Sequence, residues 1–299
     1  MLIKKIQLWE GNKNVNLVTY LLENSKEFKT DKKRPAIIIC PGGGYLGLSD
    51  REAEPIAIKF SSEGYHTFVL RYSTCFNEMS VDFNNLPKLN ERSIYPGPLF
   101  DLAKAFMIIK ENAKEWFVDS DRISICGFSA GGHLVASMGV HWQDDLLKEK
   151  FGVDSDMFKP NALILGYPVI DYTIMKEKVD EESNEFLNEF WKISNKAISG
   201  KDNQTMEELS KLSPTKYVTK NTPPTFIWHT ADDGMVYVEN SLAFASQLTK
   251  HKVPYELHIF ESGPHGLALC DETTANQDIH ISSHCAMWFD LVKSWLKKY

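Results

Sequence analysis

The chain has 299 residues, 43% of them hydrophobic, and carries 33 Lys and Arg against 40 Asp and Glu for a net charge of −7. That size and apolar share suit a folded protein with a sizeable core, and the absence of a dense basic patch argues against a nucleic-acid partner. No apolar run reaches 18 residues and the first ten residues lack the apolar stretch of a signal peptide, so neither a membrane span nor an export leader is expected.

Two β-like stretches open the chain, 3–8 and 15–22, and their spacing predicts an antiparallel edge hairpin. A continuous apolar run follows at 36–40, of the kind found in strands buried on both faces. It ends in Pro41-Gly42-Gly43-Gly44-Tyr45. A helix is predicted over 52–62, closed by Gly64, then a strand over 67–72. Residues 73–98 are irregular and long for a plain connection, which makes them either a binding wall or lid or a disordered surface stretch. A helix is predicted over 99–117, with Leu102, Ala105, Phe106 and Ile109 at helical spacing. Residues 119–122 read as a turn into a short apolar run containing Ile123, Ile125 and Cys126.

Residues 127–131 read Gly-Phe-Ser-Ala-Gly, and a helix-like segment follows over 133–142. A G-x-S-x-G pattern between a strand and a helix is the signature of a nucleophile elbow, with Ser129 lifted above the sheet at a helix N-terminus. A polar connection spans 143–159, and another buried strand spans 162–167. Residues 172–220 are charged and helix-prone, with Phe186, Phe190 and Trp191 interspersed, and read as a cap insertion. A strand over 225–229 runs into Thr-Ala-Asp-Asp-Gly, which puts Asp232 and Asp233 on a strand-end loop. After a helix over 238–250, a strand over 255–260 runs into Glu-Ser-Gly-Pro-His-Gly, which puts His265 on the next such loop. A last helix covers roughly 283–298. Alternating strands and helices imply a mostly parallel α/β sheet with helices on both faces, in one domain over 1–299. Loops at the C-terminal ends of such strands are where α/β proteins bind ligands.

A serine in that position needs a base, a carboxylate to orient the base, and amides to hold an oxyanion. The order Ser, Asp, His along the chain is that of the α/β-hydrolases. With Pro-Gly-Gly-Gly-Tyr, Asp-Arg-Ile leading to Gly-Phe-Ser-Ala-Gly-Gly-His, His-Thr-Ala-Asp-Asp-Gly-Met-Val and Gly-Pro-His-Gly in sequence, the chain resembles an α/β-hydrolase of the esterase/lipase superfamily over about residues 30–298. The likeness is nearest to the acetyl-xylan-esterase-like and acetyl-esterase-like group. It implies Ser129 as nucleophile, His265 as general base and Asp232 as the acid, with Asp233 the alternative. It implies an oxyanion hole from the amides of Gly43, Gly44 and Ala130. Tyr45, beside that loop, reads either as a substrate contact lining the acyl or alcohol pocket or as plain packing. Pro41 stands where the family often has His, which bears on the subfamily and leaves the amides in place.

The implied reaction is hydrolysis of a short-chain, acetyl-type ester, on sugars or xylo-oligosaccharides, through an acyl-enzyme and without cofactor. The implied partner is a small-molecule ester, with no nucleic acid and no membrane, and a homo-oligomer is left open. A prolyl-oligopeptidase-like peptidase, a formamidase and an inactive binding protein on the same fold are the rival readings. Cys40, Cys75, Cys126, Cys270 and Cys285 are odd in number and include no C-x-x-C, which favours a reduced, cytoplasmic setting and argues against a zinc ribbon. The His residues show no metal spacing with acidic partners, so no metal is expected. His133 and His229 read as packed or hydrogen-bonded residues, and Asp171 as a turn residue.

Overall fold

A computed structural model describes residues 1–28, 32–76 and 87–299. Among these the strands are β1 (Leu2–Trp9), β2 (Asn12–Leu21), β3 (Arg34–Cys40), β4 (His66–Arg71), β5 (Val118–Phe128), β6 (Leu163–Gly166), β7 (Thr225–Thr230) and β8 (Tyr255–Phe260). They form one sheet in the order β1-β2-β4-β3-β5-β6-β7-β8. β1 pairs antiparallel with β2, and β2 with β4, while every pairing from β4 through β8 is parallel. The edge hairpin and the α/β-hydrolase fold expected from the sequence are both present.

The apolar runs of β3, β5, β6 and β7 exist because each face of the sheet is covered. Successive side chains point to opposite sides. Ile38, Ile125, Leu165 and Ile227 join one core, with α2 (Gly97–Glu111), α3 (Ala130–His141) and α8 (Glu239–Lys250) packed over it. Ile37, Ile39, Phe128 and Trp228 join the other, under α1 (Glu54–Ser62) and α9 (Trp288–Leu296). Between β6 and β7 lie α5 (Tyr172–Asp180), α6 (Glu185–Ser199) and α7 (Met206–Lys211), which occupy the stretch expected to be an insertion.

Several boundaries depart from expectation for local reasons. The helix expected to reach residue 117 ends at Glu111, because the chain reverses through Asn112 to Phe117, and Phe117 takes φ 55° to enter β5. The expected turn at 119–122 is a bulge within β5. Arg34 pairs with Val118 and Ala36 with Ile123, so the extra residues bow out of the ladder, stapled by Arg122 Nε on Asp119. The connection after α3 contains a short helix, α4 (Asp145–Phe151). Of the 73–98 stretch, residues 77–86 lie outside the described residues. Residues 73–76 line a surface cleft and are tied to the glycine loop: the amides of Cys75 and Phe76 donate to the carbonyls of Tyr45 and Leu46, both at 2.7 Å.

Candidate active site

β3, β5, β7 and β8 run the same way, so their C-terminal ends deliver the glycine loop, Ser129, the Asp pair and His265 to one edge of the sheet. Ser129 caps α3 with φ 53° and ψ −120°. A non-glycine residue in that region costs about 1–3 kcal/mol and persists only where the surroundings enforce it. Here the Ser129 amide donates to the Gly166 carbonyl at 3.0 Å, and the amides of His133 and Val169 donate back to the Ser129 carbonyl. The hydroxyl therefore projects from a turn that is locked on both sides.

His265 Nε2 lies 2.9 Å from Ser129 Oγ, and its Nδ1 lies 2.7 Å from Asp233 Oδ2. This geometry requires the tautomer with the proton on Nδ1, donating to the carboxylate and leaving Nε2 to accept from the serine. Asp233 is 3% exposed, and both its oxygens are engaged. Its Oδ1 accepts the amides of Met235 and Val236 at 2.9 and 3.0 Å, and its Oδ2 also faces His229 Nε2 at 3.2 Å. Burial opposes the Asp233 charge, but the neighbouring imidazoles of His265 and His229 outweigh it and hold the carboxyl well below the usual range. Burial likewise pushes the His265 imidazole down, and the adjacent Asp233 carboxylate reverses this and sets it above its ordinary value.

The structure corrects the choice of Asp232. That residue is exposed and turned away, with its carboxylate accepting from Ser262 Oγ at 2.7 Å and the Gly263 amide at 2.8 Å. It braces the loop that carries His265 and does not touch the imidazole. His229, read as structural, backs the Asp233 carboxylate at the same oxygen, Oδ2, that meets His265. Its Nδ1 is held by Ser241 at 2.8 Å, while its Nε2 faces Asp233 and the Val236 carbonyl.

Gly43 and Gly44 take φ 128° and 62°, which only glycine adopts without strain, and the loop turns back beside Ser129. The local turn bonds use the amides of Leu46, Gly47 and Ser49, so they do not consume those of Gly43 and Gly44. Ala130 is the first residue of α3, where helix amides point outward without an internal partner. The expected trio of amide donors thus sits on the two elements that meet at the serine. Tyr45 is corrected: it is 1% exposed and its hydroxyl donates to His133 Nδ1 at 2.7 Å, while His133 Nε2 donates to the Leu212 carbonyl. It is a buried pin under the loop and has no face toward a substrate. Burial depresses the His133 imidazole to about 4, which keeps it neutral in this chain of bonds.

The loop is gripped from several sides that the sequence does not mark. Tyr72 Oη donates to the Pro41 carbonyl at 2.6 Å, and Ser194 Oγ of α6 donates to the Gly44 carbonyl at 2.8 Å. Phe190 lies so close that a Cβ on Gly44 would come within 2.7 Å of its ring. Asp171, expected as a turn residue, caps α5: its carboxylate accepts the Thr173 amide and pairs with Lys216. No group of three or more His, Cys, Asp or Glu suited to a metal is found among the described residues. Nor is any helix among them long and apolar enough to cross a membrane.

A strand-turn-helix serine bonded to a histidine, itself bonded to a buried aspartate, on a sheet of this order defines an α/β-hydrolase of the esterase/lipase superfamily. The family model BD-FAE matches residues 28–248, and the chain belongs to that family. It is 34% identical over 258 residues to Endo-1,4-beta-xylanase B of Butyrivibrio fibrisolvens, covering 86% of this chain and 35% of that protein. It is 28% identical to the Acetylxylan esterase of Xylanibacter ruminicola, covering 77% of this chain and 40% of that protein. The chain therefore spans well under half the length of these curated relatives. Among solved structures, the acetyl ester-xyloside bifunctional hydrolase of Caldicellulosiruptor lactoaceticus superposes with a TM-score of 0.74 at 32% identity, over 99% of this chain and 96% of that one.

Proposed function

We propose that this chain is a carboxylic-ester hydrolase that works through a serine acyl-enzyme. The observation that carries the reading is His265, bonded at one nitrogen to Ser129 Oγ and at the other to the buried Asp233. Ser129 Oγ attacks the ester carbonyl carbon while His265 Nε2 takes its proton. The carbonyl oxygen becomes an oxyanion held by the amides of Gly43, Gly44 and Ala130, each such donor contributing about 3 kcal/mol in the transition state. His265 returns the proton to the departing alcohol, leaving the acyl group on Ser129. Water, deprotonated by the same imidazole, then releases the acid. Asp233 holds the tautomer and stabilises the imidazolium.

Substrate is a short-chain, acetyl-type ester borne by a sugar or xylo-oligosaccharide. Support comes from the relatives named for acetylxylan and acetyl ester-xyloside hydrolysis. Five buried free thiols agree with activity in a reduced, cytoplasmic setting on imported oligosaccharides. The test compares hydrolysis of p-nitrophenyl acetate, butyrate and octanoate with release of acetate from acetylated xylo-oligosaccharides, using wild type and Ser129→Ala side by side. Acetate should be preferred and the variant inert. Equal rates in the two proteins would overturn the mechanism, and a preference for octanoate would overturn the substrate class.

A further inference from the structure

Behind the serine, histidine and aspartate lies a second buried carboxylate that ester hydrolysis through Ser129 does not itself require. Glu52 follows the glycine loop in the chain and is 4% exposed. Its Oε2 accepts the Gly42 amide at 2.7 Å. Its Oε1 accepts the Tyr167 hydroxyl at 2.7 Å, and the oxygen of that hydroxyl accepts the Ala268 amide at 2.9 Å. Gly42 opens the oxyanion turn, and Ala268 lies three residues beyond His265. One unbroken chain of hydrogen bonds therefore ties the two loops that must hold register across the reacting carbonyl. The Tyr167 ring also stands edge-on to the His265 ring, with centroids 5.0 Å apart at 71°.

We propose that Glu52 is a positioning residue that locks the oxyanion turn to the histidine loop and sets a second negative charge behind the imidazole. The proposal rests on the ester-hydrolase reading of Ser129 and His265. Three features separate it from ordinary core filling. Glu52 makes no ion pair with Lys or Arg among the described residues: its neighbour Arg51 donates its Nε to the Thr274 carbonyl and, with His265, favours the Glu52 charge without direct pairing. An unpaired buried carboxylate is costly and persists where it is over-determined by donors, as it is here. Gly42 is shaped to it, since a Cβ there would lie 2.7 Å from Glu52 Oε2 and 2.8 Å from Ser129 Cβ. The charge has a use at the moment His265 becomes an imidazolium, because Glu52 acts with Asp233 in favouring the protonated ring. Burial raises the Glu52 carboxyl itself, and the bonds from Tyr167 and Gly42 oppose that rise.

The charged groups facing His265 are Asp233 and Glu52. The Arg51 guanidinium approaches the adjoining Gly266, 3.8 Å from where a Cβ would stand. Glu52→Gln keeps the shape, removes the charge and turns one acceptor into a donor. Its kcat on p-nitrophenyl acetate should fall roughly tenfold or more with KM little changed, because misplaced groups cost turnover before binding. The acid limb of its kcat/KM profile should also move to lower pH. Tyr167→Phe cuts the same link from the other end and should lower kcat as well, and it serves if Glu52→Gln does not fold. A folded Glu52→Gln or Tyr167→Phe with wild-type kcat, and in the former an unmoved acid limb, would overturn the proposal. Failure of the underlying reading looks different: Ser129→Ala would keep its activity, or wild type would not react with a serine-directed phosphonate.

Discussion

At Asp232 and Asp233, two adjacent and chemically identical side chains end up with opposite fates. Neighbours on a strand-end turn point in different directions, and nothing in the letters Thr-Ala-Asp-Asp states which one faces inward. The difference is fixed by what surrounds each in three dimensions: two amides and two imidazoles around Asp233, and a serine and an amide at the surface around Asp232. Asp233→Ala should therefore lower kcat by about 10⁴-fold, the scale seen when an orienting aspartate is lost. Asp232→Ala should lower it less than about tenfold, since only a loop brace disappears. Steady-state kinetics on p-nitrophenyl acetate checks both, and the reverse order would refute the assignment. The pH dependence follows in sign. His265 must be neutral to act as base, so kcat/KM should fall as pH drops through its pKa, which Asp233 sets above the ordinary imidazole value. In Asp233→Asn that support is gone while burial still disfavours the imidazolium, so the residual activity should extend to lower pH.

Among the elements, the elbow and α6 carry the site. A Cβ on Gly131 would sit 2.0 Å from the Cys40 carbonyl, so α3 rests directly on the end of β3 with no room for a side chain. Gly131→Ala should push the helix off the strand and cost about 1–3 kcal/mol, seen as a Tm lower by several degrees together with reduced kcat. An unchanged Tm would contradict that close contact. The other element is less visible from sequence. The α6 segment was legible as part of a helical insertion with Phe190 and Trp191 on it, but not as a clamp. Its contacts with Gly44 join residues 150 apart in the chain, and no periodicity encodes where a helix will dock. Ser194→Ala removes a hydrogen bond to the oxyanion loop worth roughly 1 kcal/mol. We expect a several-fold loss of kcat with Tm nearly unchanged, and wild-type kcat would mean that the loop holds itself.

For the molecule as a whole, the sheet was legible because buried parallel strands are continuous apolar runs and the loops after them carry conspicuous residues. How the final helix serves the site was not legible, since α9 follows the last catalytic motif and looks like any amphipathic terminus. Its Trp288 stacks on Trp228 at 5.2 Å and 12°, meets Phe128 of the elbow strand edge-on, and donates its indole N–H to the Ala268 carbonyl at 3.0 Å. One fully buried side chain thus touches β7, β5 and the His265 loop at once. Trp288→Ala would leave a large cavity and an unpaired carbonyl. We expect a loss of about 3–5 kcal/mol, which lowers Tm on the order of 10 °C. Trp288→Phe fills most of the volume and loses only the indole bond, so it should keep much of the stability while letting Ala268 drift. Its signature is a reduced kcat at a temperature where calorimetry finds the protein fully folded. If Trp288→Phe lost Tm and kept kcat, the indole would be packing alone, and the support of the histidine loop would fall to Tyr167 and Glu52.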